Sequence, residues 1–386
     1  MIKVCHITDE LKIGGLERII IAIATNLKGY NHEIWCLKKG GPLAQEVKTR
    51  GIRVREFNFE GKSRIHSHFH LIGELKKERF DVIHCHGLYP SIWGRVAAVF
   101  AGVPAKINHC QNLYYDVPFN DRVKLKLLSF STDKFIAVSS AVKKSLVEAI
   151  GINANKIEVI YNGSKFHGNI GPHERKTTRA GLGIKDDDFV IGNISRLEEH
   201  KGHAYLLDTL VKLKNVISAL KCVIVGDGPA MKMLKQKCER LGLRDIVIFS
   251  GFRSDIETML SIMDIFILPS LVREGLPLAL VEAASMALPL IATDIGGNGE
   301  IVFNEVNGFI VKPKDTEELS RKIAHLITNR LARKNMGEES KEIWERHFTL
   351  ENMLEKIDKV YHDALAPAVN HFGKNEQIHK HHNPKL

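Results

Sequence analysis

IFILPSLVREGLPLALVEAASMALPLIAT, residues 265–293, decides the fold class. Ile265–Leu268 is a four-residue apolar run, which reads as a strand buried on both faces. A loop carrying Glu274 follows. A helix then opens near Leu276–Pro277, where proline fits the first turn, and Glu282 is the only charge in the apolar stretch to Ala287. Leu290–Thr293 is a second short apolar run. Strand, helix, strand repeated in this way builds a parallel sheet covered on both faces.

The same alternation runs outward in both directions. Upstream, the sequence predicts strands at Ile2–Ile7, Glu33–Leu37, Val54–Phe57, Val82–Cys85, Lys106–His109, Phe135–Val138 and Ile157–Ile160. Leu16–Asn26 and Ser140–Ala149 between them show helical spacing. The polar stretch 161–179, with three Gly and one Pro, breaks the pattern and reads as a linker. A second series follows, with strands at Phe189–Ile194, Cys222–Val225, Ile246–Phe249, Ile265–Leu268, Leu290–Thr293 and Phe309–Val311. The expected architecture is α/β, two doubly wound parallel-sheet domains facing across a cleft. The domains are expected over 1–165 and 181–345, with a linker over 166–180. A helix over 346–366 is expected to pack back toward the N-terminal domain, and 367–386 is expected to be an irregular tail in which HKHH is solvated.

Composition narrows the function. The chain has 386 residues, 44% hydrophobic and 26% charged, which excludes wholesale disorder. No uncharged stretch approaches the 20 or so residues of a membrane span. The opening MIKVCHITDE lacks an apolar run of signal-peptide length. Six scattered cysteines without CxxC or zinc spacing fit a reduced, cytoplasmic protein with buried thiols. The net charge is +10, and all of it lies in the first half: residues 1–170 hold 25 Lys+Arg against 15 Asp+Glu. No nucleic-acid motif accompanies this charge, so nucleic acid is not an expected partner.

Several strand ends carry groups suited to an anionic ligand, which such sheets bind at the carboxyl ends of their strands. Gly14-Gly15 precede a helix, whose amides and dipole favour an anion. Arg196 and Lys201 follow the first strand of the second domain, and two fixed cations stabilise a diphosphate leaving group without a metal. The glycine turns VGDGP (Val225–Pro229) and FSGF (Phe249–Phe252) reach the same edge. Glu282 is placed to accept ribose hydroxyls, and Glu274 to meet a sugar. Asp186-Asp187-Asp188 precedes a strand rather than following one, so it reads as a turn and no metal site is expected. GxGxxG is absent, which argues against a dinucleotide dehydrogenase.

EGLPLALVE at 274–282, preceded by SRLEEHKG and by an N-terminal GGLER, resembles the retaining glycosyltransferases of family four, with the GT-B fold of two Rossmann-like domains. The resemblance covers about residues 1–365. It implies transfer of a sugar from a nucleotide diphosphate sugar, usually UDP-linked, with retention; with cationic side chains and helix termini at hand, no metal or other cofactor is expected. By position, Arg196 and Lys201 would hold the diphosphate, and Glu282 the ribose. Glu274 with the backbone of Gly275, Leu276, Pro277 and Leu278 would hold the donor sugar, and Gly14 and Gly15 would lie near the phosphates. His109, in INHCQN, matches the first histidine of a family pattern whose second is replaced here by Gln111 or Asn112. A phosphorylase or epimerase of the same fold, and a nucleotide-sugar-binding module without transfer, remain open alternatives. The implied acceptor is a glycan or lipid-linked precursor. The segment 112–130, with Tyr114, Tyr115, Phe119, Arg122, Lys124 and Lys126, is a candidate peripheral contact with an anionic membrane at the inner face of the cell.

Overall fold

The computed structural model describes residues 1–59, 64–165, 170–214, 216–217 and 219–378. The chain divides into two compact units, Met1–Tyr161 with the segment from Glu351 onward, and Asn162–Leu350.

The first unit is built on seven parallel strands: β1 (Ile2–Thr8), β2 (Tyr30–Cys36), β3 (Arg53–Glu56), β4 (Val82–His86), β5 (Ala105–Cys110), β6 (Lys134–Ala137) and β7 (Ile157–Val159). Their order is β3-β2-β1-β4-β5-β6-β7. The chain winds outward from β1 in one direction, then returns and winds outward from β4 in the other. β1 and β4 therefore flank a topological switch point, where ligands of such sheets gather. The central strands are buried, and Trp35, Leu71, Ile83 and Ala98 pack in one core of this unit. All six cysteines of the chain are free and buried.

The second unit repeats the plan with six strands: β8 (Phe189–Ile194), β9 (Leu220–Val225), β10 (Val247–Gly251), β11 (Ile265–Leu268), β12 (Leu290–Thr293) and β13 (Gly308–Val311). The order β10-β9-β8-β11-β12-β13 puts the switch point between β8 and β11. Its core joins Ile191, Leu206, Leu210, Ile224, Ile267 and Ile323.

All thirteen expected strands are present, with ends shifted by up to three residues. Other expectations are corrected. The segment expected as a linker carries the helix Pro172–Gly181, with Pro172 in its first turn. Only Arg179 of that helix is buried, its guanidinium donating to the carbonyls of Ile262, Lys185 and Asp188. One inward residue leaves no apolar periodicity to read. The C-terminal helix runs from Leu350 to Ile378, so 367–378 is helical instead of irregular. Elongating an established helix is far easier than nucleating one. The expected HKHH tail, 379–382, lies outside the described residues. Asp188 closes a turn, accepting from the amide of Lys185 at 2.7 Å.

Candidate active site

In the second unit the loops after β8 and β11 flank the switch point. Their contact depends on Gly202, held at φ +74°, where an added Cβ would lie 1.8 Å from the carbonyl oxygen of Pro269. The backbones also join directly, the amide of Leu271 donating to the carbonyl of His200 at 2.8 Å. From the other side, Gly226 (φ +136°) lets the VGDGP turn press against Ser195, whose carbonyl oxygen would sit 2.0 Å from a Cβ there. The two glycine-bearing turns thus share one task, which is to bring backbone against backbone beside the ligand edge.

This closeness brings Lys201 and Glu274 together. Lys201 Nζ donates to Glu274 Oε1 at 2.7 Å, and Ser270 Oγ donates to the same oxygen. Glu274 is 4% exposed. A buried carboxylate needs such partners, since charge out of water is costly unless paired and hydrogen-bonded. Ser270 is fixed in turn, its carbonyl accepting from Thr293 Oγ1 at the end of β12. Arg273, just before Glu274, is held at φ +68°. Positive φ in a non-glycine residue costs of order 1–3 kcal/mol and concentrates at functional sites. The carbonyl of Glu274 also accepts from the amide of Gly297 at 3.2 Å, which ties in the turn before Asn298–Glu300.

The helix expected near Leu276–Pro277 begins one residue later, over Leu278–Ser285, with Pro277 as its N-cap. Gly275 and Leu276 are buried, while Pro277, Leu278 and Glu282 are half-buried. The carbonyl of Leu276 accepts from Asn162 Nδ2 at 3.2 Å. Arg196 stands apart from this cluster. Its side chain is 59% exposed and pairs with Glu198 at 3.1 Å.

Two positions escaped the sequence reading. His203 opens the helix after Gly202 and is buried, its Nε2 2.9 Å from Ser195 Oγ and 3.0 Å from Asn193 Oδ1. Burial, reinforced by the nearby Lys201 charge, pushes its pKa down to about 4. Ser270 is the other. A histidine two residues after a candidate cation, and a serine four before a candidate carboxylate, were the available signals.

In the first unit, Gly14 is the N-cap of the helix Gly15–Asn26, with extended backbone at φ −171°. His109 lies at the end of β5, buried, with Nε2 3.2 Å from Gln111 Nε2. Desolvation pushes its pKa down to about 3, so it is a neutral imidazole.

Two family models account for most of the chain: Glycosyltransferase Family 4 over residues 13–164 and Glycosyl transferases group 1 over residues 174–343. The chain belongs to the family 4 glycosyltransferases. An Escherichia coli UDP-Gal:alpha-D-GlcNAc-diphosphoundecaprenol alpha-1,3-galactosyltransferase is 29% identical over 95% of this chain and 98% of its own length. Among solved structures, a glycosyltransferase of Rickettsia africae is 25% identical over 94% of this chain and 98% of that one, with a TM-score of 0.84. HepE of Anabaena, solved in complex with UDP-glucose, aligns with a TM-score of 0.84 at 24% identity, over 93% of this chain and 99% of that one. These neighbours share the GT-B fold, and this glycosyltransferase has it too. Its Lys201–Glu274 pair falls within the group 1 segment, and His109 within the family 4 segment.

Proposed function

We propose that this glycosyltransferase moves a sugar from a UDP-sugar to a lipid-linked glycan precursor, with retention at the anomeric carbon and without a metal in the transfer step. The observation that carries the reading is the buried Glu274 carboxylate paired with half-buried Lys201 at the switch point of the second sheet. In transfer, the bond from the anomeric carbon to the diphosphate oxygen breaks and its electron pair leaves with the diphosphate. Lys201 supplies a fixed cation for that charge, and preorganised charge is worth most in a water-poor site. Arg196 supplies the second cation once it exchanges Glu198 for phosphate; an exposed pair holds it by under about 1 kcal/mol. Glu274 is assigned to the donor sugar, Glu282 to the ribose, and His109 to a sugar hydroxyl as a neutral hydrogen-bonding group. The acceptor hydroxyl forms the new bond on the face the diphosphate leaves, and its proton passes to the departing diphosphate oxygen.

The UDP and lipid-linked parts of the reading are supported by the E. coli relative, whose name specifies UDP-Gal and a diphosphoundecaprenol acceptor, and by HepE with UDP-glucose. A peripheral contact with an anionic membrane fits such an acceptor. Among the described residues no helix is long and apolar enough to cross a membrane. A thermal-shift screen of UDP-, GDP- and ADP-sugars tests the donor. A ligand at 100 times its dissociation constant adds about 2.7 kcal/mol, so a shift with UDP-sugars alone is expected. UDP release without acceptor, followed by anomeric assignment of the product by NMR, separates retaining transfer from mere binding.

A further inference from the structure

β1, β2, β4 and β5 of the first unit bring five histidines together. His6, His32, His84, His86 and His109 are all buried, none more than 5% exposed. His6 pairs in register with His84, and His86 with His109. Since side chains alternate along a strand, His6, His84, His86 and His109 share one face. The rings of His84 and His86 lie 4.2 Å apart, and those of His84 and His109 stack at 5.2 Å.

The nitrogens divide into anchored and inward-facing atoms. His6 Nε2 meets His32 Nδ1 at 3.0 Å, and His32 Nε2 reaches the carbonyl of Leu27 at 3.3 Å. His84 Nδ1 meets the hydroxyl of the buried Tyr361 at 2.8 Å. His6 Nδ1 lies 3.0 Å from His86 Nε2, while His84 Nε2 has no partner. One ring nitrogen from each of His6, His84 and His86 lies within 4.8 Å of the other two. An unpaired buried polar atom costs about 1–3 kcal/mol, so a plain stack of imidazoles is poorly satisfied here. Zinc–nitrogen bonds of about 2.0–2.1 Å place two ligands of one tetrahedral ion roughly 3.3 Å apart. Metal-bound histidines also anchor their second nitrogen on a neighbouring group, as His6 and His84 do.

We propose that His6, His84 and His86 bind one borderline transition-metal ion of the zinc class, with His32 and Tyr361 positioning two of the rings. Water completes the coordination. Burial holds all three imidazoles neutral, which is the ligating form. The ion would join β1 to β4 at the first switch point and serve the first unit's structure, independently of donor transfer by the second.

The test uses the untagged full-length chain with His379, His381 and His382 changed to Ala, which removes the HKHH segment as a competing chelator. Elemental analysis after dialysis should find one zinc per chain, and X-ray absorption should show about three nitrogen neighbours near 2.0 Å. His84→Gln with His86→Gln should abolish that zinc. Tyr361→Phe, a mild change, should weaken zinc binding by about 10–100-fold. Absence of zinc in the parent after incubation with excess Zn²⁺, or a first shell of oxygen only, overturns the proposal even if the histidine variants fail to fold. So does unchanged zinc affinity in a folded Tyr361→Phe protein.

Discussion

At the residue scale, the Lys201–Glu274 pair makes activity and stability separable. Lys201→Ala should lower kcat/KM by about 100-fold, as loss of one preorganised donor does. It should also destabilise the second unit by about 3 kcal/mol, because it leaves a buried carboxylate without its cation. Adding Glu274→Ala should restore much of the urea midpoint while activity stays low. Activity recovering together with stability would mean that the pair is architectural only. Glu282→Ala is expected to weaken UDP itself by about tenfold, the loss of one hydrogen bond to a charged group. Glu274→Ala should leave UDP affinity nearly intact. Equal losses measured by calorimetry would reverse these two roles. Glu282 was legible because it interrupts an apolar stretch, and Glu274 because it stands in the loop after a buried strand. Their partners were not, since Lys201 lies 73 positions from Glu274 and only the sheet topology makes them neighbours. The histidine array was hidden for the same reason: only His84 and His86 are close in sequence, and their companions arrive on three other strands.

At the element scale, the helix Phe119–Leu128 changes the basis of the membrane expectation. Tyr114, read as a headgroup residue, is buried. Arg122 is spent on the carbonyls of Val117 and Tyr115, Lys126 on that of Gly151, and Lys124 on Asp121 at 2.8 Å. The helix instead exposes Phe119 (76%), Val123 and Leu127 (63%), with Phe130 (75%) just beyond its end. The spacing of four, four and three puts them on one stripe. Burying that stripe in a bilayer would supply the apolar part of the proposed peripheral binding, and the basic half of the chain would supply the electrostatic part. Cosedimentation with anionic vesicles at low salt should therefore drop about tenfold when Phe119, Leu127 and Phe130 become Ser, and should weaken with salt in the parent. A protein that stays in the supernatant with anionic vesicles would remove membrane contact from the reading. Sequence pattern located this segment but neither its helix nor its outward face, because the helix's single buried side chain, Leu125, sits between two lysines.

At the scale of the whole molecule, most of the thirteen strands were visible as short apolar runs because the inner strands of parallel sheets are buried on both faces, whereas the edge strand β3, RVRE, is not buried. The unit boundaries were less visible, since polar composition marks exposure and not chain connectivity. Acid should expose a difference built into the first unit. Desolvation holds His32 at about 4 and His109 at about 3, against roughly 6.5 in an unfolded chain. Between pH 6.5 and 4 the unfolded state therefore binds more protons, and stability falls as pH falls, by about 1.4 kcal/mol per unit for each such histidine. Urea midpoints of the metal-free protein should drop steeply from pH 7 to pH 5. A flat profile would mean that these imidazoles are hydrated. Transfer itself should need no divalent ion: activity without added Mg²⁺ or Mn²⁺ should stay at about half or more of that with it, because the developing charge meets cationic side chains. Dependence on either ion would displace Lys201 from its role.

The first unit is closed by residues that lie more than three hundred positions from its opening strand. Tyr361, wholly buried, and Asp358, which accepts from the hydroxyl of Tyr30 at 2.5 Å, both belong to the helix that begins at Leu350. During synthesis, β1 to β7 leave the ribosome long before that helix exists. The apolar surface that it will cover stays open until translation of the whole second unit is done, the kind of exposure that recruits chaperones. Nonsense or frameshift lesions near residue 350 should then yield a polypeptide with an intact second unit and an unfinished first one, cleared by proteolysis and not tolerated as a shortened enzyme.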